Sequence, residues 1–153
     1  MAADKKKPEP APDATPTLVP ATVPPKLTRA QQLDSWFIYH PPTSETTPKF
    51  EAIDEQYRLA VEVFVFALER RSTGTLDPGV FEAVSRQLRA FVETIDEVCP
   101  SSADASAAVR CVRLARNGMN DILMNKQASL SFVYDQLIAA KFQANSAIAT
   151  GGV

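Results

Sequence analysis

The stretch Asp77-Pro78-Gly79-Val80-Phe81-Glu82-Ala83-Val84-Ser85-Arg86-Gln87-Leu88-Arg89-Ala90-Phe91-Val92-Glu93-Thr94-Ile95-Asp96-Glu97-Val98-Cys99-Pro100 decides the fold class. Aspartate followed by proline is a helix start: the carboxylate caps free backbone N–H groups, and proline fits the first helical position. Phe81, Val84, Leu88, Phe91, Ile95 and Val98 then recur at helical spacing and form one apolar stripe, with Arg86 and Arg89 off it. Cys99-Pro100 stops the run. This spacing predicts a helix over about 78–98 that needs partners for a single apolar face.

Working outward, the same period recurs on both sides. Pro48 suits a first helical turn, and Phe50, Ile53, Tyr57, Val61, Phe64 and Leu68 predict a helix over about 47–71. Near its end, Val63 to Phe66 are contiguous apolar residues. A helix apolar all round at that point is expected to be buried on several sides, in an oligomer or deep in the fold. A strand over 61–66 is the alternative reading. Ser72 to Leu76 reads as a loop.

After Pro100, Ser101 and Asp104 have capping-box spacing. Val109, Val112, Ala115, Met119 and Ile122 continue a helix from about Ser102. Gly118 inside it reads as a close helix contact, at a propensity cost of roughly 1 kcal/mol against alanine; a break at Asn117-Gly118 is the other possibility. Leu130, Val133, Leu137, Ala140, Ala144 and Ile148 predict a last helix over about 127–149. The break before it is placed at Asn125-Lys126, with one continuous rod as the alternative. Gly151-Gly152 ends the run. The fold class is therefore all-α: a small bundle of about four helices in hairpin-like pairs over 36–150.

Residues 1–27 hold seven of the twelve prolines and no aromatic residue. Such a segment cannot bury enough apolar surface to offset its ordering entropy, and it reads as a disordered Pro/Ala/Thr-rich tail over 1–35. Thr28 caps a short helix at its end, from Arg29 to about Ser35. Trp36 to Tyr39 then place four large apolar or aromatic groups together. Pro41 and Pro42 impose extended geometry on the residues before them, so the segment is expected to run extended across the helices, with Trp36 as an anchor.

The net charge is −2. Through Arg29 there are five Lys/Arg against three Asp/Glu; beyond it there are eleven against fifteen. An acidic body argues against a DNA or RNA duplex as partner, which needs clustered cations. No apolar run approaches a membrane span, and no apolar segment follows Lys5-Lys6-Lys7, so neither a membrane anchor nor a secretion signal is expected. Cys99 and Cys111 are the only cysteines, which fits a reducing cytoplasm. One histidine and two cysteines do not make a common zinc site. The five glycines form no phosphate-cradling loop, and no serine sits in a nucleophile elbow. The expectation is a protein that is not an enzyme and uses no cofactor and no metal.

Phe37-x-Tyr39-His40-Pro41-Pro42-Thr43 followed by Lys49-Phe50-Glu51-Ala52-Ile53 resembles the opening of small phage proteins of the anti-CBASS protein 2 type, whose helical hairpin is shared with one class of phage anti-Thoeris proteins. Phe91-x-Glu93-x-Ile95-Asp96-Glu97-Val98-Cys99-Pro100 resembles the end of that family's first long helix, and Ser102-x-Asp104-x-Ser106-x-Ala108 the start of its second. Its closing Ala-Asn-x-x-Ile pattern is approached by Met119-Asn120-Asp121-Ile122 and by Ala144-Asn145-Ser146-Ala147-Ile148. The resemblance implies a sponge: a compact helical homo-oligomer in the bacterial host cytoplasm that sequesters a cyclic oligonucleotide ligand, a cyclic di- or trinucleotide immune messenger, without cleaving it. It implies ligand contacts from Tyr39, His40 and Thr43, with the Tyr39 ring stacked on a base. Asp54 stands where the family usually carries a basic residue, and Arg58, one turn later, is the nearest replacement. A helical oligomeric adaptor or virion-assembly accessory without a small-molecule ligand is the alternative.

Overall fold

The computed structural model describes residues 26–124 and 129–152. The tail expected to be disordered lies, up to residue 25, outside the described residues. Among the described residues there are five helices and no strand: α1 (Arg29–Phe37), α2 (Thr47–Ser72), α3 (Pro78–Val98), α4 (Ala103–Leu123) and α5 (Leu130–Thr150). The expected number was about four. The chain divides into two units, one ending at Phe37 and one beginning at Ile38.

In the first unit, Thr28 and Gln31 cap α1 reciprocally. The Thr28 hydroxyl accepts from the Gln31 N–H at 3.2 Å, and the Gln31 side-chain oxygen accepts from the Thr28 N–H at 2.9 Å. The helix runs through Trp36 and Phe37 rather than stopping near Ser35, and it buries none of its residues. Trp36 is therefore not the buried anchor expected of it. Its ring is 46% exposed and carries the Arg29 guanidinium 4.9 Å from its centre.

In the second unit, α2 packs on α3, α3 on α4, α4 on α5, and α5 back on α2. Short connections make sequential helices antiparallel, so the four close into an up-down-up-down bundle. One apolar core runs through it, and no polar or charged residue is buried as a whole among the described residues. Of the expected stripe of α3, Val84, Leu88, Phe91 and Ile95 enter that core; Val80 joins them, and Phe81 and Val98 are only partly buried. Asp77 accepts from the Val80 N–H at 3.2 Å, so the decisive stretch folds as its residues predict.

The long helix α2 places Ile53, Ala60, Phe64 and Ala67 in the core. The apolar run Val63–Phe66 is helical, and the strand alternative is not taken. Nor is the run buried on all sides. Phe64 is fully buried, with its ring edge-on to Tyr134 at 5.7 Å, but Val65 and Phe66 are 42% and 43% exposed. Successive helical residues turn by about 100°, so three consecutive positions cannot share one buried stripe. Gly74 ends the following turn with φ +74°, a backbone region few residues other than glycine enter.

Ser102, not the expected pair Ser101 and Asp104, caps α4 by accepting from the Ala105 N–H at 3.1 Å. Asp104 instead accepts from the Ser146 hydroxyl on α5 at 2.8 Å. The last two helices form a hairpin, not a rod. The first of them ends at Leu123 and the second begins at Leu130, capped by Ser129; the expected break at Asn125-Lys126 falls on residues outside the described ones. Gly118 is buried at the α4–α5 contact. A Cβ there would lie 2.9 Å from Val133 Cγ2, so the close-contact reading of Gly118 is right and the break reading is not. At the far end, Gly151 takes φ +69° and closes α5 in a left-handed cap. No helix among the described residues is long and apolar enough to cross a membrane.

Candidate functional site

Ile38 to Thr43 carry no regular structure and lead into α2 through a turn at 44–46. The expectation that this segment packs across the helices does not hold. Ile38 is 58% exposed and Tyr39 79%, so the Tyr39 side chain stands largely in solvent. Pro41 and Pro42 limit the backbone behind it, which lowers the ordering cost of anything that stacks there. His40 is half-buried beside it.

Thr43 is engaged by the fold. Its hydroxyl accepts from the Thr46 N–H at 3.1 Å, and the Thr46 hydroxyl accepts from the Thr43 N–H at 2.9 Å. The two hydroxyls also meet at 3.1 Å. This reciprocal turn launches α2, whose first turn carries Pro48 and has no side-chain cap of its own. A ligand contact from Thr43 would come from a hydroxyl already in that turn.

Arg58 does not stand as a free cation. It lies between two carboxylates on its own helix: it donates to Glu55 at 2.7 Å and pairs with Glu62 one turn on. The Glu55 hydrogen bond and charge, then those of Glu62, raise its pKa above the ordinary value. The open cleft of about 380 Å³ beside it is lined by Glu51, Asp54, Glu55, Tyr57, Arg58 and Lys141, and by none of Tyr39, His40 or Thr43. Of the four site residues read from the sequence, Arg58 alone lines this cleft.

The structure adds a residue that no local spacing signals. Lys141, on α5, meets Asp54 at 2.7 Å and lies 5.0 Å over the Tyr57 ring. Asp54, the acid at the position where the resembled family is usually basic, is thus neutralised from across the bundle. The fold also brings together a second set of residues: Arg113 and Arg116 on α4 line a separate cleft with Arg89 on α3. The signal was present, because Ala105 to Asn120 contains Arg110, Arg113 and Arg116 at three-residue spacing and no acid.

Cys99 is a structural thiol. It is 8% exposed and donates to the Ala144 carbonyl at 3.5 Å. Burial first, opposed by the charge of Lys49 and aided by that of Asp96, pushes its pKa from 9.0 up to about 11. At neutral pH it holds its proton and is a poor nucleophile. A thiol reagent at pH 8 is expected to modify the half-buried Cys111 first and to reach Cys99 only as the chain unfolds. The stability linkage follows. Below pH 9.0 the folded and unfolded thiols are both protonated and the contribution is intact; between 9.0 and about 11 the unfolded thiol ionises first, so stability falls as pH rises. Urea melts at pH 8 and pH 10.5 on the wild type and Cys99→Ala test this: the wild type should lose more stability over that interval.

No group of three or more His, Cys, Asp or Glu side chains among the described residues is placed to hold a metal ion. Comparisons of this chain with protein-family models, with curated proteins and with solved structures find no match.

Proposed function

We propose that the chain is a non-catalytic sponge that sequesters cyclic di- or trinucleotide messengers of bacterial antiphage immunity, acting as a homo-oligomer in the host cytoplasm. One observation carries this reading: Tyr39, in the segment that resembles the opening of the anti-CBASS protein 2 type, is 79% exposed, with one residue between it and a proline pair. An aromatic buried for stability would be covered; this one offers a stacking platform. Base stacking on such a ring contributes about 1–3 kcal/mol. In this reading His40 and Thr43 border the base, and a phosphate that meets Arg58 or Lys141 competes with the carboxylates already paired to them, Glu55 and Glu62 for Arg58 and Asp54 for Lys141.

Tyr39→Ala tests the reading. It should weaken a cyclic dinucleotide by about 1–3 kcal/mol in calorimetry. The melting temperature should stay within a degree or so of the wild type, because an exposed side chain contributes little to stability. Equal affinity in the two proteins would refute the role given to Tyr39.

A helical adaptor without a small ligand is the second reading. The outward apolar side chains Val65, Phe66, Ile138 and Phe142, the last 64% exposed, favour it. Light scattering that finds a stable oligomer, together with calorimetry that finds no bound nucleotide, would select it.

A further inference from the structure

Between α3 and α4 lies an open cleft of about 410 Å³, a volume within the range of small-molecule sites. Its floor is aliphatic: half-buried Val92 is the accessible part, over Leu88 and Val112, which are 2% and 1% exposed. Its rim is cationic: Arg89 comes from α3, and Arg113 and Arg116 from α4. These charges are poorly compensated. Arg116 donates from Nε and Nη2 to the Ser85 hydroxyl at 3.4 and 3.3 Å, a neutral partner that orients the guanidinium without cancelling its charge. Arg113 makes no ion pair among the described residues. Only Arg89 has an acid, Glu93 at 3.2 Å, and that pair is largely exposed. On a chain of net charge −2, three guanidinium groups around one apolar floor are a local exception.

Guanidinium groups bind phosphate oxygens in pairs and also stack on flat rings. An aliphatic floor adds nothing for a bare inorganic anion, but it does add affinity for a ligand with a flat, weakly polar body. The geometry points to a binding site for a phosphorylated nucleoside, with the phosphate chain spanning Arg89, Arg113 and Arg116 and the base lying over Val92. This site shares no residue with the Tyr39 segment, and it stands or falls independently of the sponge reading.

Metal-free ATP and inorganic pyrophosphate, titrated separately into the full chain by calorimetry at low salt, test it. ATP should saturate at a single site. Pyrophosphate, which has no body for the floor, should bind about tenfold more weakly or worse. The double variant Arg113→Gln/Arg116→Gln should weaken ATP by about tenfold or more, as expected for loss of charge-assisted hydrogen bonds. Its melting temperature serves as the control for folding. Glu93→Gln, which frees Arg89, should strengthen ATP binding by roughly threefold, and Tyr39→Ala should leave it unchanged. No saturable heat at millimolar ATP would overturn the assignment. So would pyrophosphate binding as tightly as ATP, or Glu93→Gln failing to strengthen ATP binding, or Tyr39→Ala abolishing it.

Discussion

Truncating Phe64 to alanine is expected to lower the unfolding free energy by about 3–5 kcal/mol, the range for a fully buried phenylalanine. Phe64 has no exposed surface and is among the largest fully buried side chains. Its ring meets Tyr134 edge-on at the contact between α2 and α5. Its core neighbours along the same helix are Ala60 and Ala67, too short to collapse into the space it leaves. Phe66, two residues on, is the internal control. It is 43% exposed, with the Arg70 guanidinium 5.6 Å above it, and Phe66→Ala should cost under about 1 kcal/mol. Urea melts of the two variants measure the difference. Equal losses would mean that α2 is rotated about its axis from the orientation described.

Gly118→Val should destabilise the bundle by about 1–3 kcal/mol or more. The new Cβ would stand 2.9 Å from Val133 Cγ2 and 3.3 Å from Phe132 Cδ2. A β-branched side chain cannot rotate both methyl groups away from a helix that close. Gly118→Ala should cost much less, because leaving glycine in a helix interior already forgoes roughly 1 kcal/mol of propensity that alanine regains. Phe132 is 41% exposed and can swing outward; Val133 is fully buried and cannot. Val133→Ala opens the space that the valine at 118 would fill. The double variant Gly118→Val/Val133→Ala should therefore be more stable than the sum of the two single losses allows, and a double-mutant cycle reads that coupling directly.

Much of the bundle was legible because apolar period and capping chemistry agreed. In α3 the aspartate, the proline and the stripe all gave the same boundaries. Where the cues were redundant, the choice slipped by a residue: Ser101 and Ser102 are adjacent candidates, and only packing decides that Asp104 is used by Ser146 instead. Trp36 was misplaced because a large aromatic is usually buried, a tendency that says nothing about a residue closing a short helix with no buried face. Val63 to Phe66 misled for a related reason: contiguity says how apolar a segment is, whereas helical rotation decides which members point inward.

The site was legible unevenly. Glu55 and Glu62 stand three and four residues from Arg58, so its neutralisation could be read from spacing alone. The Thr43–Thr46 turn has the same local character. The pairing of Asp54 with Lys141 could not be read, because it needs α2 and α5 to be neighbours in the bundle. The arginine ridge of α4 was visible as a pattern; that it faces Arg89 across an aliphatic floor depends on how α3 and α4 pack.

The most direct measurement is a calorimetric panel of cyclic di- and trinucleotides titrated into the wild-type protein, with the ligand afterwards recovered and checked for integrity by chromatography. At least one member should bind saturably and return intact. A panel that produces no heat, or a ligand that comes back cleaved, would contradict the sponge reading.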